Sequence, residues 1–339
     1  MNKLTKIGAS ALAGSLVAVS AYAGELGVSG VWEVTYKSDD KTNTGNPFGS
    51  KSAIFFSGSG DVDGVGTATW FAAINDNNPA GYASHLLTLD MGDMGTVGFD
   101  QGVGNFGAST IDDKSPTAWE ESWHNTGNSS GGLVHTGGTT SVLGYSNSIG
   151  GLNVSFEYAP NIVGSDAGDG GTGGQTTMAG GSNMNIAITS SSLIDGLDVG
   201  VGMGETEYDN SAIVGQEDGS SVVGYANYTM GPVTAGLTLS DSNNTRSGTA
   251  NTNAGAREVE AYGIAFAVNE NLSISWNQHN MTYKNNGGTA DVEQESTGIA
   301  IAYTMGGAKI AIQNNSQDNS GGTAGTNDEI TEISLSLAF

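Results

Sequence analysis

The sequence predicts an all-β protein, a 16-stranded antiparallel transmembrane β-barrel with an inward-folded third loop. Three observations predict it. Sixteen segments alternate apolar with polar residues, which is the period-2 pattern of a strand between an apolar and a polar environment. The connections between these segments are alternately short and long, as in transmembrane barrels. One long connection, residues 101–139, is much longer than the other seven and is acidic.

The amino-terminal residues have the pattern of a secretory signal peptide. Lys3 and Lys6 precede an apolar run over residues 7–19, and Ala21-Tyr22-Ala23 supplies a small-x-small cleavage pattern. The run is too short to span a membrane. We therefore expect residues 1–23 to be cleaved during export and residues 24–339 to form one domain.

Composition restricts how the exported chain could cross a membrane. There is no Cys, so disulfides, thiolate metal sites and a Cys nucleophile are excluded. Beyond the signal peptide no apolar run approaches twenty residues, which leaves a closed barrel as the structure that could span a bilayer. A hydrophobic content of 37% suits strands that need apolar residues only at alternate positions.

The strands are identified by alternation and by the turn residues between them. Leu272, Ile274 and Trp276, for example, alternate with Ser273, Ser275 and Asn277, a register that a disordered Gly-rich chain would not keep. The predicted strands are 27–37, 51–62, 65–76, 83–91, 95–101, 140–149, 151–159, 183–192, 195–205, 219–230, 232–241, 257–268, 271–283, 293–305, 307–317 and 328–339.

The last strand carries a further signal. Ile333, Leu335, Leu337 and Phe339 share one face, so the chain ends on an aromatic residue on the apolar side. This ending resembles the closing strand of Gram-negative outer-membrane barrels, in which a terminal Phe is a recurrent assembly signal. An ordinary edge strand of a soluble sheet is the alternative.

The third loop contains four carboxylates within ten residues: Asp112, Asp113, Glu120 and Glu121. Carboxylates at this density cannot be buried without water or cations. A loop of this length is either functional or a misassigned pair of strands, and its poor β-propensity favours function. We therefore predict that it folds into a water-filled pore.

Three stretches of the chain together resemble the general trimeric porins of Gram-negative bacteria, especially the alphaproteobacterial branch. They are the short strand at residues 95–99, the acidic third loop, and residues 142–158, where 144–147 begin strand six and 150–152 turn into strand seven. Strand count, loop order and Phe339 extend the resemblance over residues 24–339.

The resemblance implies an outer-membrane homotrimer for passive diffusion of small hydrophilic solutes and ions, narrowed by the third loop. Asp112, Asp113, Glu120 and Glu121 would line that constriction. The arginine cluster usual on the facing wall is missing, since Arg246 and Arg257 are the only arginines. Lumen-parity lysines, Lys37 and Lys309, are candidates for a weaker basic wall, with Lys51 in a strand of ambiguous parity, and lumen parity gives Glu33 and Glu157 a pore-lining role. With a net charge of −25, we predict cation preference.

The sequence also permits other roles for its acidic residues and other functions for the chain. The acids could instead solvate outer loops and bind divalent ions among lipopolysaccharide or neighbouring subunits. Catalysis is not expected, because Glu120, His124 and His135 match no zinc or hydrolase motif. No cofactor or nucleic-acid partner is expected, and adventitious Ca²⁺ could bind acidic loops such as residues 164–171. A secreted acidic, Gly-rich adhesin or surface-layer protein is the alternative from another class.

Overall fold

The computed structural model describes residues 26–39, 46–76, 82–124, 142–160, 181–207, 218–243, 256–284 and 290–339. The predicted signal peptide, most of the second half of the third loop, and residues 164–171 lie outside these ranges. Within the described residues the only helical pieces are 3₁₀ turns, and none is long or apolar enough for a membrane-crossing helix.

Sixteen strands form one closed sheet, in which each strand pairs antiparallel with its neighbours in sequence and β1 pairs with β16. The strands are β1 Leu26–Asp39, β2 Phe48–Val62, β3 Gly66–Asn75, β4 Ser84–Asp90, β5 Thr96–Gln101, β6 Val142–Ile149, β7 Leu152–Ala159, β8 Asn183–Ser190, β9 Leu197–Thr206, β10 Gly219–Met230, β11 Val233–Asn243, β12 Arg257–Ala267, β13 Leu272–Tyr283, β14 Val292–Met305, β15 Ala308–Asp318 and β16 Asp328–Ala338. The predicted barrel and its strand count are confirmed.

Each strand has an apolar and a polar face, because successive side chains point to opposite sides of a sheet. On β14, Ile299 and Ile301 are exposed, whereas Ser296 and Gln294 on the other face are buried. We call these the apolar face and the polar face of the barrel. The register matches them across strands: Ile299 lies opposite Trp276, and Gly298 opposite Asn277.

Tight turns at one end of the barrel require glycine. Gly231 and Gly306 occupy turns of two residues with φ of +61° and +59°, a left-handed conformation that side chains with a Cβ rarely adopt. At the other end the connections are longer, and the third, between β5 and β6, is the longest.

The last residue completes the closure of the barrel. The Phe339 N–H donates to the Gly30 carbonyl at 2.9 Å, and the Gly30 N–H donates to the Phe339 carbonyl at 3.1 Å. The Phe339 side chain is 78% exposed. Closure removes the open sheet edges that would otherwise pair with other chains.

Candidate functional site at the third loop

The third loop turns back over the barrel directly after β5. Asp100, on the polar face of β5, accepts hydrogen bonds from the N–H groups of Val103 and Asn105, both at 2.7 Å. These bonds hold a tight bend that returns the chain toward the polar face. We call residues 102–124, the described part of this loop, the third-loop segment.

Phe106 anchors the start of the third-loop segment. Its side chain is fully buried and lies over Gly98 of β5 and Gly144 of β6. A Cβ atom at either glycine would overlap the Phe106 ring. The two glycines therefore leave the space that the ring fills, and neither strand could carry a larger residue there without displacing it.

The next turn lies on β7 and β8. The Gly107 N–H donates to Ser155 Oγ at 2.8 Å, and the Ala108 N–H donates to the Asn185 side-chain carbonyl. The Asn185 amide in turn donates to the carboxylate of Glu157, which is only 1% exposed. Glu157 thus has the predicted parity, but it supports the third-loop segment from beneath instead of facing open solvent.

Two groups of apolar side chains on the polar face receive the third-loop segment. Ile111 packs against the first group, which comprises Ala187, Val223, Tyr225, Val259 and Met281. Trp119 packs against the second, which comprises Ala300, Ala302 and Ala311. Burial of these side chains away from water favours attachment of the loop to the wall.

Hydrogen bonds from polar side chains of the barrel hold the backbone of the second half of the segment. They join Asn227 Nδ2 to the Lys114 carbonyl (2.7 Å), the Ala118 N–H to Ser275 Oγ (2.8 Å), the Ser122 N–H to Asn277 Oδ1 (2.7 Å), and Asn315 Nδ2 to the carbonyls of Glu121 (3.0 Å) and His124 (3.1 Å). The contacts described here carry the third-loop segment along β5 to β15.

The structure brings together three of the four predicted carboxylates. Asp113 is exposed, Glu120 is 18% exposed at its side chain, and Glu121 is buried. Burial raises the pKa of Glu121 well above its ordinary value, and a hydrogen bond with Asp113 and the negative charges of Asp113 and Glu120 raise it further. Glu121 therefore keeps its proton to a higher pH than an ordinary glutamate. Asp112 is half-buried one residue before Asp113.

The predicted facing side chains lie on β1, β2 and β15. Glu33 and Lys51 are register partners on the polar face, and their carboxylate and ammonium groups are 2.8 Å apart. Lys37 lies opposite Glu332 of β16, and Lys309 opposite Ser336. Glu120 interacts electrostatically with both Lys51 and Lys309, so this acid of the third-loop segment and these two lysines are neighbours.

Sequence reasoning missed several residues of this site. Glu332 adds a carboxylate beside the lysines, and its alternation with Ser334 in the last strand could have placed it there. The apolar contacts of Ile111 were also missed. Val223, Val259 and Met281 interrupt the polar side of their strands, and this break in alternation was the available signal.

The structure describes only some of the residues that the sequence analysis considered for catalysis and for a basic wall. The Glu120 carboxylate lies 3.4 Å from His124 Nδ1, while His135 lies outside the described residues. The Arg257 guanidinium lies 4.9 Å from the centre of the Tyr283 ring, and Arg246 lies outside the described residues. No group of three or more His, Asp or Glu side chains in the described ranges is arranged to hold a metal ion.

Comparison with known proteins finds a matching family model and solved structures of similar fold. A family model described as Gram-negative porin matches residues 8–339. A search by sequence among curated proteins finds no match.

Many solved structures are similar in fold, including the following three. Salmonella typhi OmpF in complex with daunomycin has a TM-score of 0.66 at 13% identity, covering 93% of this chain and 97% of that one. A loop L8 deletion mutant of Vibrio cholerae OmpT has a TM-score of 0.65 at 14% identity, covering 94% and 100%. An anion-selective porin from Comamonas acidovorans has a TM-score of 0.61 at 13% identity, covering 93% and 99%.

Proposed function

The chain belongs to the Gram-negative porin family, and from that premise we propose that it is an outer-membrane channel for passive diffusion of small hydrophilic solutes and ions, with a preference for cations. The apolar face of the barrel contacts lipid, and the polar face lines a water-filled lumen. The third-loop segment folds into this lumen and narrows it. The family also sets aside the alternative of a secreted adhesin or surface-layer protein.

The contacts of the third-loop segment support its inward position. Phe106 packs over two glycines of the polar face, and Ile111 and Trp119 pack on buried side chains of the same face. Because this face is the one that closure of the barrel encloses, a segment packed against it reduces the open cross-section.

One observation carries the proposed preference for cations: Glu120 of the third-loop segment lies near lysines whose positive charge is partly neutralised by other acids. Glu120 interacts electrostatically with Lys51, and Lys51 is itself paired with Glu33. Glu332 lies opposite Lys37 in the register. The fold alone does not give a preference for cations, because the similar Comamonas acidovorans structure is described as anion-selective. The preference must come from such side chains.

The proposal also covers assembly and partners. We propose a homotrimer; in-vitro folded OmpT of Vibrio cholerae, whose loop L8 deletion mutant is similar in fold to this chain, is described in a trimer form. Outer-membrane lipid and lipopolysaccharide are the proposed surroundings. Acids at the loop ends of the apolar face, such as Glu260 and Glu293, are suited to bind divalent ions between lipopolysaccharide phosphates.

The direct test is single-channel recording of the wild-type protein in a planar bilayer. We expect discrete conductance steps and, under a potassium chloride gradient, a reversal potential of the sign that potassium diffusion produces, because the acids raise the local concentration of cations. Absence of conductance steps from folded, membrane-inserted protein would contradict the channel. Steps with a reversal potential of chloride sign would contradict only the cation preference.

Phe339 is predicted to be needed for efficient assembly. Deleting it removes the two backbone hydrogen bonds to Gly30 at the closure of the barrel, each with a net value of about 1 kcal/mol. We expect less folded protein in the outer-membrane fraction, measured as the band whose gel migration changes on boiling. Phe339→Tyr is the matched control, since it keeps the ring and both hydrogen bonds. Equal folded amounts for the deletion and the control would count against this role.

A further inference from the structure

Two phenylalanines and a leucine form an apolar cluster on the polar face of β2, β3 and β4. Phe55 lies opposite Ser29 of β1, Phe71 opposite Ser57 of β2, and Leu86 opposite Phe71. The rings of Phe55 and Phe71 are stacked, with centres 5.9 Å apart and planes inclined by 23°. We call Phe55, Phe71 and Leu86 the aromatic patch.

The aromatic patch differs from the other apolar groups described on this face. Met281 and Val223 are buried beneath Ile111, and Ala300 and Ala311 beneath Trp119. Phe55 and Phe71 each keep part of their surface exposed. The contacts of the third-loop segment described above run along β5 to β15, so β16 and β1 to β4 form the wall that faces it.

The surroundings of the aromatic patch are largely uncharged. Hydroxyl groups flank it at Ser29 and Ser57, and the Thr69 and Thr88 hydroxyls are hydrogen-bonded to each other nearby. Asp100 lies opposite Leu86, but its two carboxylate oxygens accept backbone N–H groups. Lys51 lies four residues before Phe55 on the same side of β2, about 13 Å along the strand.

A partly exposed aromatic pair beside hydroxyl groups matches one class of solute. Aromatic rings favour offset stacking on other aromatic rings, and removal of their surface from water adds to the attraction. Hydroxyl groups can receive or donate hydrogen bonds to polar substituents of the same solute. The patch itself carries no charge, so it offers no ion pair to a charged solute.

We propose that the aromatic patch is a weak binding subsite in the lumen for neutral solutes that carry an aromatic ring. The inference rests on the proposed channel, since the patch is accessible only if the polar face lines an open lumen. Binding there would slow the passage of such solutes and favour their partition into the pore.

The test compares two neutral glucosides as probes in single-channel recording. Phenyl β-D-glucoside should reduce the mean current at a concentration about fivefold lower than methyl β-D-glucoside, a ratio typical of one stacked aromatic contact. The double variant Phe55→Ala and Phe71→Ala should lose this difference. Phe56→Ala is the matched control, because Phe56 follows Phe55 in the same strand but points to the apolar face.

The outcomes separate the subsite from the channel itself. Equal effects of the two glucosides on wild-type current would overturn the subsite, as would an unchanged difference in the double variant. If the double variant does not insert, Phe55→Leu with Phe71→Leu keeps apolar volume without the rings, and the same loss is expected. Conductance in the absence of glucoside tests the channel separately, so its absence in wild type would overturn the proposed function instead.

Discussion

Gly144→Val is expected to detach the start of the third-loop segment and to give a larger, noisier single-channel conductance. A Cβ atom at Gly144 overlaps the Phe106 ring, which is fully buried over Gly144 and Gly98. The ring must leave its site, and exposure of a buried Phe side chain costs about 2–3 kcal/mol. The bend held by Asp100 then loses its apolar support. Single-channel recording in potassium chloride measures the change.

Gly60→Val is the matched control for this change. Gly60 lies on β2, and a Cβ atom there meets no other heavy atom within 4 Å. We expect wild-type conductance and wild-type amounts of folded protein from this control. A Gly144→Val channel with wild-type conductance and noise would mean that Phe106 does not hold the loop in the conducting state.

Replacing Asp112, Asp113, Glu120 and Glu121 together by their amides is expected to move the reversal potential under a potassium chloride gradient to near zero or to the chloride side. Two unit charges 4 Å apart interact by about 1 kcal/mol even in bulk water, and salt reduces this at longer range. Loss of the charges near the lysines would leave Lys51 and Lys309 without their acidic neighbour Glu120. The measurement is the reversal potential of single channels.

Two control variants separate the contributions. Glu121→Gln alone should change the reversal potential least, because burial and its acidic neighbours raise the pKa of Glu121 and so favour its neutral form more than in an ordinary glutamate. Glu258→Gln with Glu260→Gln removes two acids from the apolar-face rim of β12 and should also have little effect. If the rim variant shifts the potential as much as the fourfold variant, the selectivity arises at the rim and not at the third loop.

Local patterns were sufficient to predict the strands. Apolar and polar residues alternate with the same period as side-chain orientation in a strand. The sequence of each segment therefore predicts which of its side chains lie on the apolar face and which lie on the polar face. The predicted strand 328–339 agrees with β16, Asp328–Ala338, to within one residue. The strand predicted at 51–62 begins three residues earlier in the structure, where β2 spans Phe48–Val62, because Gly49 and Ser50 interrupt the hydrophobic signal between Phe48 and the rest of the strand.

Alternation along each strand also predicted the face on which a side chain lies, but it did not predict which residues that side chain contacts. Glu33 and Glu157 both have the predicted polar-face parity, yet Glu33 pairs with Lys51 and Glu157 lies buried beneath the third-loop segment. The difference depends on Gly107, whose missing side chain lets the loop approach Glu157 and Asn185 closely. The alternation of residues within β7 contains no information about contacts with a loop from another part of the chain.

The sequence by itself determined the barrel, its two faces, the number of its strands and the acidic character of the third loop. Each of these properties depends on short, contiguous patterns of residues. Only the tertiary structure decided where that loop lies. The position of Phe106 over two glycines, the fit of Ile111 among strands β8 to β13, and the approach of Glu120 to Lys51 join residues far apart in the chain. Such contacts depend on the closure of the whole sheet, and no local pattern encodes them.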